Sequence, residues 1–198
     1  MGSIAVIGSG KIGSALAERF HAARIDLLIA NSRGPSSLME LTANFGKSVT
    51  AVEVEEALRA DIVVLAMHFD SVPAAVGGVA DWAGRIVVDA TNAINFPEFT
   101  PRDLGGRLSS EIVAELVPGA RVVKAFNTLQ AHVLAAEPNT PAGRRVLFLS
   151  GDSVEANQTI AKLITDLGFY AIDLGPLAVG APVQHFAGPL AKMNLLKD

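Results

Sequence analysis

The chain has 198 residues, half of them apolar and 18% charged, with 16 Lys+Arg against 20 Asp+Glu, a net charge of −4 and no cysteine. A chain of this length buries about 70% of its unfolded surface, enough for one core without disulfides. Disulfide frameworks, thiolate metal sites and cysteine nucleophiles are excluded; the acidic balance lacks the basic footprint of a nucleic-acid binder, and low charge with high apolar content argues against disorder.

Read in chain order, short apolar runs alternate with amphipathic stretches. Ile4–Ile7 reads as a strand, followed by a glycine turn and a helix with Ile12, Ala15, Leu16, Arg19 and Phe20 at helical spacing. His21, late in that helix, suits its negative C-terminal end. A strand at Asp26–Ala30 leads into Asn31-Ser32-Arg33-Gly34-Pro35, then a helix with Leu38, Leu41 and Phe45 on one face. Strands follow at Val49–Val52, Ile62–Ala66 and Ile86–Asp89, a Gly/Pro-rich linker at Asn95–Gly106, and a helix opened by Ser109-Ser110-Glu111 and ended by Pro118-Gly119. Beyond it lie a strand at Arg121–Ala125, a linker at Glu137–Gly143 and a strand at Val146–Leu149. Asp152-Ser153-Val154-Glu155 caps a helix carrying Ile160, Leu163, Ile164 and Leu167, with Gly168 just past its end. A strand at Phe169–Asp173, a linker at Gly175–Pro182 and a short helix interrupted by Pro189 complete the chain.

Continuous rather than alternating apolar strands are those covered on both faces. With helices between them, they predict a Rossmann-type doubly wound α/β fold, its mostly parallel sheet of seven to eight strands flanked by helices on both faces. One domain is expected over residues 1–198, with 175–198 as a C-terminal extension. The longest apolar run, Ile62–Met67, is far short of the ~20 residues that cross a bilayer. The start of the chain lacks a leader pattern, so a soluble cytoplasmic location is expected.

Gly8-Ser9-Gly10-Lys11-Ile12-Gly13 follows a strand and opens a helix. In that context G-x-G-x-x-G is a dinucleotide turn: one glycine for the bend, one for approach of the pyrophosphate, one for helix–strand packing. The alternative is a plain βα turn. An acid about 20 residues on would bind the ribose 2′-hydroxyl of NAD. Here stand Asn31, Ser32 and Arg33 instead, and a guanidinium with a neighbouring hydroxyl suits a 2′-phosphate, hence NADP. Lys11 adds positive charge nearby. Solvated roles for Arg33 and Lys11 are the alternatives.

Ligands in such sheets lie beyond the carboxyl ends of the strands. Those ends carry Ala66, Met67, His68 and Phe69, then Asn92, then Asn127 and Thr128. Met67 and Phe69 suit an apolar wall beside the nicotinamide, and Asn92, Asn127 and Thr128 offer neutral hydrogen bonds. His68 is the single candidate for a catalytic contact; His132 and His185 read as solvated or structural. No metal site is expected, and Pro97, Pro101 and the glycines nearby read as a long connection or as a rim over the pocket. Hydride transfer from NADPH to an electron carrier needs stacked rings and excluded water rather than an acid–base pair, and this rim fits it better than alcohol oxidation.

These stretches, together with Ser109-Ser110-Glu111-Ile112-Val113-Ala114-Glu115, Val122-Val123-Lys124-Ala125-Phe126-Asn127-Thr128, Ser150-Gly151-Asp152 and Asp173-Leu174-Gly175-Pro176-Leu177, give nearly the whole chain a family likeness. It resembles the deazaflavin-dependent NADP oxidoreductases, which exchange hydride between NADP and coenzyme F420. It is also similar to the cytosolic oxidoreductase domain of the six-transmembrane ferric reductases. The resemblance implies that Gly8, Ser9, Gly10, Lys11 and Ile12 hold the pyrophosphate and Asn31, Ser32 and Arg33 the phosphorylated ribose. It implies that Ala66, Met67, His68, Phe69 and Asn92 border the nicotinamide half, and that Asn127, Thr128, Leu129 and Ala131 line the entrance for the second substrate. It also implies a homodimer, with residues 175–198 contributing to the pocket or the interface. Two departures stand out: the deazaflavin enzymes would have proline in place of His68, and a His-Thr-Ile-Pro-like run in place of Asn127-Thr128-Leu129-Gln130. The Phe-Asn-Thr version is nearer the ferric reductase domain, which uses flavin. The expected partner is a small electron carrier, F420 or a flavin, and neither nucleic acid nor membrane. Other acceptors (a ferric chelate, a quinone, a small carbonyl or imine) and a non-catalytic NADP(H) sensor are the alternatives.

Overall fold

All eight apolar runs form strands of one sheet, with ends within three residues of those expected. The structure is a computed structural model and describes residues 2–198. In chain order it contains β1 (Ile4–Ile7), α1 (Lys11–Ala22), β2 (Leu27–Ala30), α2 (Met39–Ala43), β3 (Val49–Ala51), α3 (Val54–Ala57), β4 (Ile62–Leu65), α4 (Val72–Val76) and β5 (Ile86–Asp89). A small antiparallel hairpin follows, β6 (Ile94–Asn95) and β7 (Thr100–Pro101), then α5 (Ser109–Leu116), β8 (Arg121–Ala125), α6 (Ala131–Ala135) and β9 (Asn139–Thr140). The chain ends with β10 (Gly143–Gly151), α7 (Val154–Asp166), β11 (Tyr170–Asp173), α8 (Leu177–Gln184) and β12 (Leu196–Lys197).

The strand order is β3-β2-β1-β4-β5-β8-β10-β11. From β3 to β8 all neighbours are parallel. β10 runs antiparallel to β8, and β11 runs parallel to β10. The physical basis is visible in β1, whose four residues are all buried. Ile4 and Val6 join one core with Leu16 and Phe20 of α1 and Ile160 and Leu163 of α7. Ala5 and Ile7 join the opposite core with Trp82 and with Val113 of α5. A strand covered on both sides has no reason to alternate.

The α7 cap acts as its sequence suggests, whereas Ser109 and Ser110, read as preceding α5, lie inside that helix, whose N-cap is Leu108. The Ser153 hydroxyl accepts the Ala156 N–H at 3.3 Å at the start of α7, and Gly168, with φ +96°, turns the chain beyond its end. The Glu111 carboxylate accepts the Leu108 N–H at 3.0 Å before α5.

The C-terminal part departs from expectation. Gly175–Pro182, read as a linker, contains most of α8, with Pro182 inside the helix. Asp152 stabilises its start by accepting the Leu177 N–H at 2.9 Å. A Cβ on Gly180 would lie 2.3 Å from the Ser150 Cβ, so the glycine permits close helix–strand approach rather than marking a loop. The helix expected around Pro189 does not form. Ala187 and Lys192 have φ of +63° and +65°, and Leu196–Lys197 pairs with β10 instead. Four short segments whose sequences show no helical pattern, α3, α4, α6 and α8, are helical. Among the described residues no helix is long and apolar enough to cross a membrane.

Candidate functional site

The sheet reverses its winding at β1, which lies between β2 and β4. The crevice at the carboxyl ends of β1 and β4 is therefore the binding position this architecture offers. β1 enters it through Gly8, whose φ is +116°; a Cβ there would lie 2.2 Å from the Ala66 carbonyl oxygen. A Cβ on Gly13 would lie 1.9 Å from the Gly8 oxygen, so α1 rests directly on the turn. Gly10 behaves differently: its Cβ would meet nothing within 4 Å. Gly10 is also the N-cap of the 12-residue α1, and no side chain caps that end. The turn thus presents an open surface where the first-turn N–H groups and the helix dipole favour an anion.

The loop after β2 is braced against this turn. Asn31 is buried, donates through Nδ2 to the Ser9 hydroxyl at 2.8 Å, and accepts from the Arg33 N–H at 2.8 Å and the Ser37 hydroxyl at 3.1 Å. Both ends of its amide are engaged within the protein. Arg33 is exposed, with Nη2 3.5 Å from the Ser9 hydroxyl oxygen, and Ser32 beside it is exposed. Neither Arg33 nor Lys11 forms an ion pair among the described residues. The Glu53 carboxylate approaches this loop, its oxygens 3.8 Å from a Cβ built on Gly34.

Beyond β4, Met67 and Phe69 are half-buried and pack against the core on the α5 side, an orientation partly toward the protein rather than wholly toward the crevice. His68 is exposed and meets Phe96 of the β6–β7 hairpin edge-on, with ring centroids 4.9 Å apart; Phe99 meets Phe96 in the same way. Arg102 pairs with Asp70 and ties the hairpin to the segment after β4. Of the two readings open for this stretch, a long connection or a rim over the pocket, the contacts of Phe96 with His68 and Phe99 favour the rim, whose aromatic residues carried no motif of their own.

At the ends of β5 and β8 the two asparagines meet. Asn92 Nδ2 donates to the Asn127 carbonyl at 2.9 Å, and Asn127 Nδ2 donates to Asn92 Oδ1 at 3.2 Å and to the Gln184 carbonyl at 2.7 Å. The Lys192 N–H donates to the Thr128 carbonyl at 2.7 Å. A cavity of about 120 Å³ opens here, lined by Asn92, Ile94, Thr128, Leu129, Phe186 and Lys192 among others, with no carboxylate or histidine in its wall. Gln184, Phe186 and Lys192 belong to the C-terminal segment and carried no recognisable motif. Of the remaining candidates, Ala66 is buried at the crevice and Ala131 starts α6, half-buried. His132 is exposed, and the His185 ring nitrogen lies 2.6 Å from the Phe186 carbonyl, outside the cavity wall.

Below this floor lies a buried ion pair, Asp89 with Lys124. Burial alone would raise the Asp89 pKa, but the Lys124 charge and hydrogen bonds from Thr91, Lys124 and Ser110 outweigh it and hold the carboxyl below its usual range. A depressed folded-state pKa adds stability above the unfolded value of about 4, lost as pH falls through that value toward the folded one. Urea unfolding followed from about pH 6 to pH 3 should therefore show falling stability. Asp89→Asn, less stable at neutral pH, should show a shallower fall.

Residues 3–93 match the family model described as NADP oxidoreductase coenzyme F420-dependent. A solved structure of the hypothetical protein SMa0349 from Sinorhizobium meliloti is 62% identical, with a TM-score of 0.98 over 100% of this chain and 97% of that one. A protein assigned as an F420-dependent NADP reductase from Arthrobacter sp. FB24 is 26% identical, with a TM-score of 0.76 over 91% and 89%. The metalloreductase STEAP3 of Rattus norvegicus is 30% identical over 183 residues, 91% of this chain. The chain spans about a third of the length of the curated relatives it matches, 35% in each case.

Proposed function

We propose, from the premise that residues 3–93 are an NADP-binding oxidoreductase domain of the F420-dependent NADP reductase family, that this protein moves hydride between NADP(H) and a deazaflavin or flavin-like acceptor. One observation carries the reading: an open, uncapped glycine turn leads along the strand ends to a cavity walled mainly by amides and apolar groups, with the Thr128 hydroxyl and Lys192 but without a carboxylate or histidine. The residues present fit the dinucleotide. Gly10 leaves the space that a pyrophosphate requires, and the α1 N-terminus supplies its charge complement. Ser32 and Arg33 are free to receive a 2′-phosphate, with Asn31 holding their loop against Ser9. NADPH, when bound, supplies a hydride equivalent, two electrons with one proton. The chain's task is then to hold two rings in contact and keep water away. Asn92, Thr128 and Leu129 form the floor of the acceptor space, and the exposed ring of Phe96 beside His68 offers an apolar edge to a flat acceptor. The homodimer belongs to the same proposal: Met193, Leu195 and Leu196 leave an apolar strip exposed at the C-terminal end, and light scattering on the purified protein tests it.

Offering F420, flavin, ferric chelate and quinone in turn while following NADPH absorbance tests the assignment. Oxidation with a deazaflavin or flavin, with deuterium passing from labelled nicotinamide to that acceptor, is the expected result. Binding without consumption would make the protein a sensor. The carbonyl or imine reading is separated by His68→Ala. A reductase relying on this imidazole as proton donor would lose about 10²–10⁴-fold in turnover. Hydride transfer between rings should lose less than about tenfold, with NADPH affinity retained.

A further inference from the structure

Asp89 and Lys124 are cross-strand neighbours at the ends of β5 and β8, and both side chains are fully buried, with Nζ to Oδ2 at 3.0 Å. Replacing a buried ion pair by apolar residues of similar volume is often neutral or stabilising, because desolvation offsets the attraction. The destination of its other hydrogen bonds is therefore informative. Lys124 Nζ also donates to the Thr91 carbonyl at 3.2 Å. Asp89 Oδ1 accepts both the Thr91 N–H at 3.0 Å and the Thr91 hydroxyl at 2.6 Å. Apart from Ser110, which donates to Oδ2 at 2.8 Å, every other outside bond of the two side chains goes to Thr91.

Thr91 precedes Asn92, and Asn92 exchanges hydrogen bonds with Asn127. On the other strand, Phe126 lies between Lys124 and Asn127 and is fully buried with φ +64°, a conformation that bulky residues rarely adopt and that surrounding contacts must hold. Gln184 donates to the Lys124 carbonyl at 3.3 Å and accepts from Asn127 through its own carbonyl. Two strand ends that would otherwise end in free loops are thus fastened at the residues facing the cavity.

We propose that the Asp89–Lys124 pair is a positioning device: by clamping Thr91 it holds the Asn92 and Asn127 amides in one arrangement beneath the acceptor. The proposal rests on the hydride-transfer reading for its effect on rate, but not for its effect on structure. Preorganisation of this kind matters because a displacement of about 1 Å can cost about 10²-fold in rate.

The test is the double variant Asp89→Leu/Lys124→Met, compared with the parent in three measurements. The melting temperature should stay at or above the parent's. In ¹⁵N NMR the Asn92 and Asn127 side-chain amides should lose their dispersed, slowly exchanging signals while the strand amides keep theirs. The kcat for NADPH oxidation should fall about 10- to 100-fold with the KM for NADPH within about twofold. A folded double variant with parental amide signals overturns the proposal, as does one with parental kcat. Should the double variant fail to fold, Thr91→Val leaves the pair intact and removes one of its bonds. It should weaken the same two amide signals, and unchanged signals overturn the proposal equally. Thr91→Ser, which keeps the hydroxyl, should restore them. If the parent turns over no acceptor, the hydride reading fails, and the NMR comparison still decides the positioning role.

Discussion

Gly8→Ala is expected to lower stability by about 4 kcal/mol, combining the strain of a left-handed backbone with a forced shift of neighbouring backbone. The wild-type φ is +116°, and the added methyl carbon would lie 2.2 Å from the Ala66 carbonyl oxygen, which belongs to a strand end and has no flexible tail to move. For a domain whose total stability is about 5–15 kcal/mol, this is a large fraction, readable as a fall in the urea midpoint. Gly10→Ala provides the contrast. Its φ is −73°, which alanine adopts readily, and the methyl would meet nothing within 4 Å. Stability should be unchanged or slightly raised, while NADPH affinity falls about tenfold, or about 1.4 kcal/mol. Calorimetric titration and thermal melting on the two variants separate the glycine that shapes the protein from the glycine that leaves room for a ligand. Parental NADPH affinity in Gly10→Ala would mean that the open side of the turn is not where the dinucleotide lies.

Arg33→Ala should weaken NADPH by about 1–3 kcal/mol and leave NADH nearly unaffected, since a charge-assisted contact to the 2′-phosphate is lost only in the phosphorylated cofactor. The structure sharpens this expectation. Arg33 is exposed and engages the protein through one contact to Ser9 at 3.5 Å, so its removal should leave the melting temperature in place. The remaining difference between the two cofactors should shrink as salt is raised, because an exposed charge is screened. Equal losses for NADPH and NADH would assign Arg33 elsewhere and reopen the choice of cofactor. Asn31→Ala should instead weaken both cofactors together, because it unfastens the loop from Ser9.

Much of this could be read from local pattern. A run such as Ile62-Val63-Val64-Leu65 is apolar on both faces because both faces are covered, and a glycine-rich turn between a strand and a helix has few uses. Those features depend on neighbours within a few residues, so the eight strands and the geometry of the glycine turn were legible. The C-terminal segment was not. Gly180 and Pro182 carry the composition of a linker, and only the contact with Ser150 shows why a helix there needs a glycine.

The site divides along the same line. The amino-acid sequence by itself determined the fold class, the glycine turn between β1 and α1 and the lack of an acid directly after β2, because each is set by residues adjacent in the chain. Tertiary structure alone decided that Asn31 is a brace, that Phe96 meets His68 with Phe99 behind it, and that Gln184 and Lys192 close the floor around Asn127. It also decided where the charge of Lys124 goes. Apart from the Phe96–Phe99 contact, those arrangements join residues 22 to 64 positions apart, and partners at such separations are chosen by strand order and helix packing rather than by any local spacing.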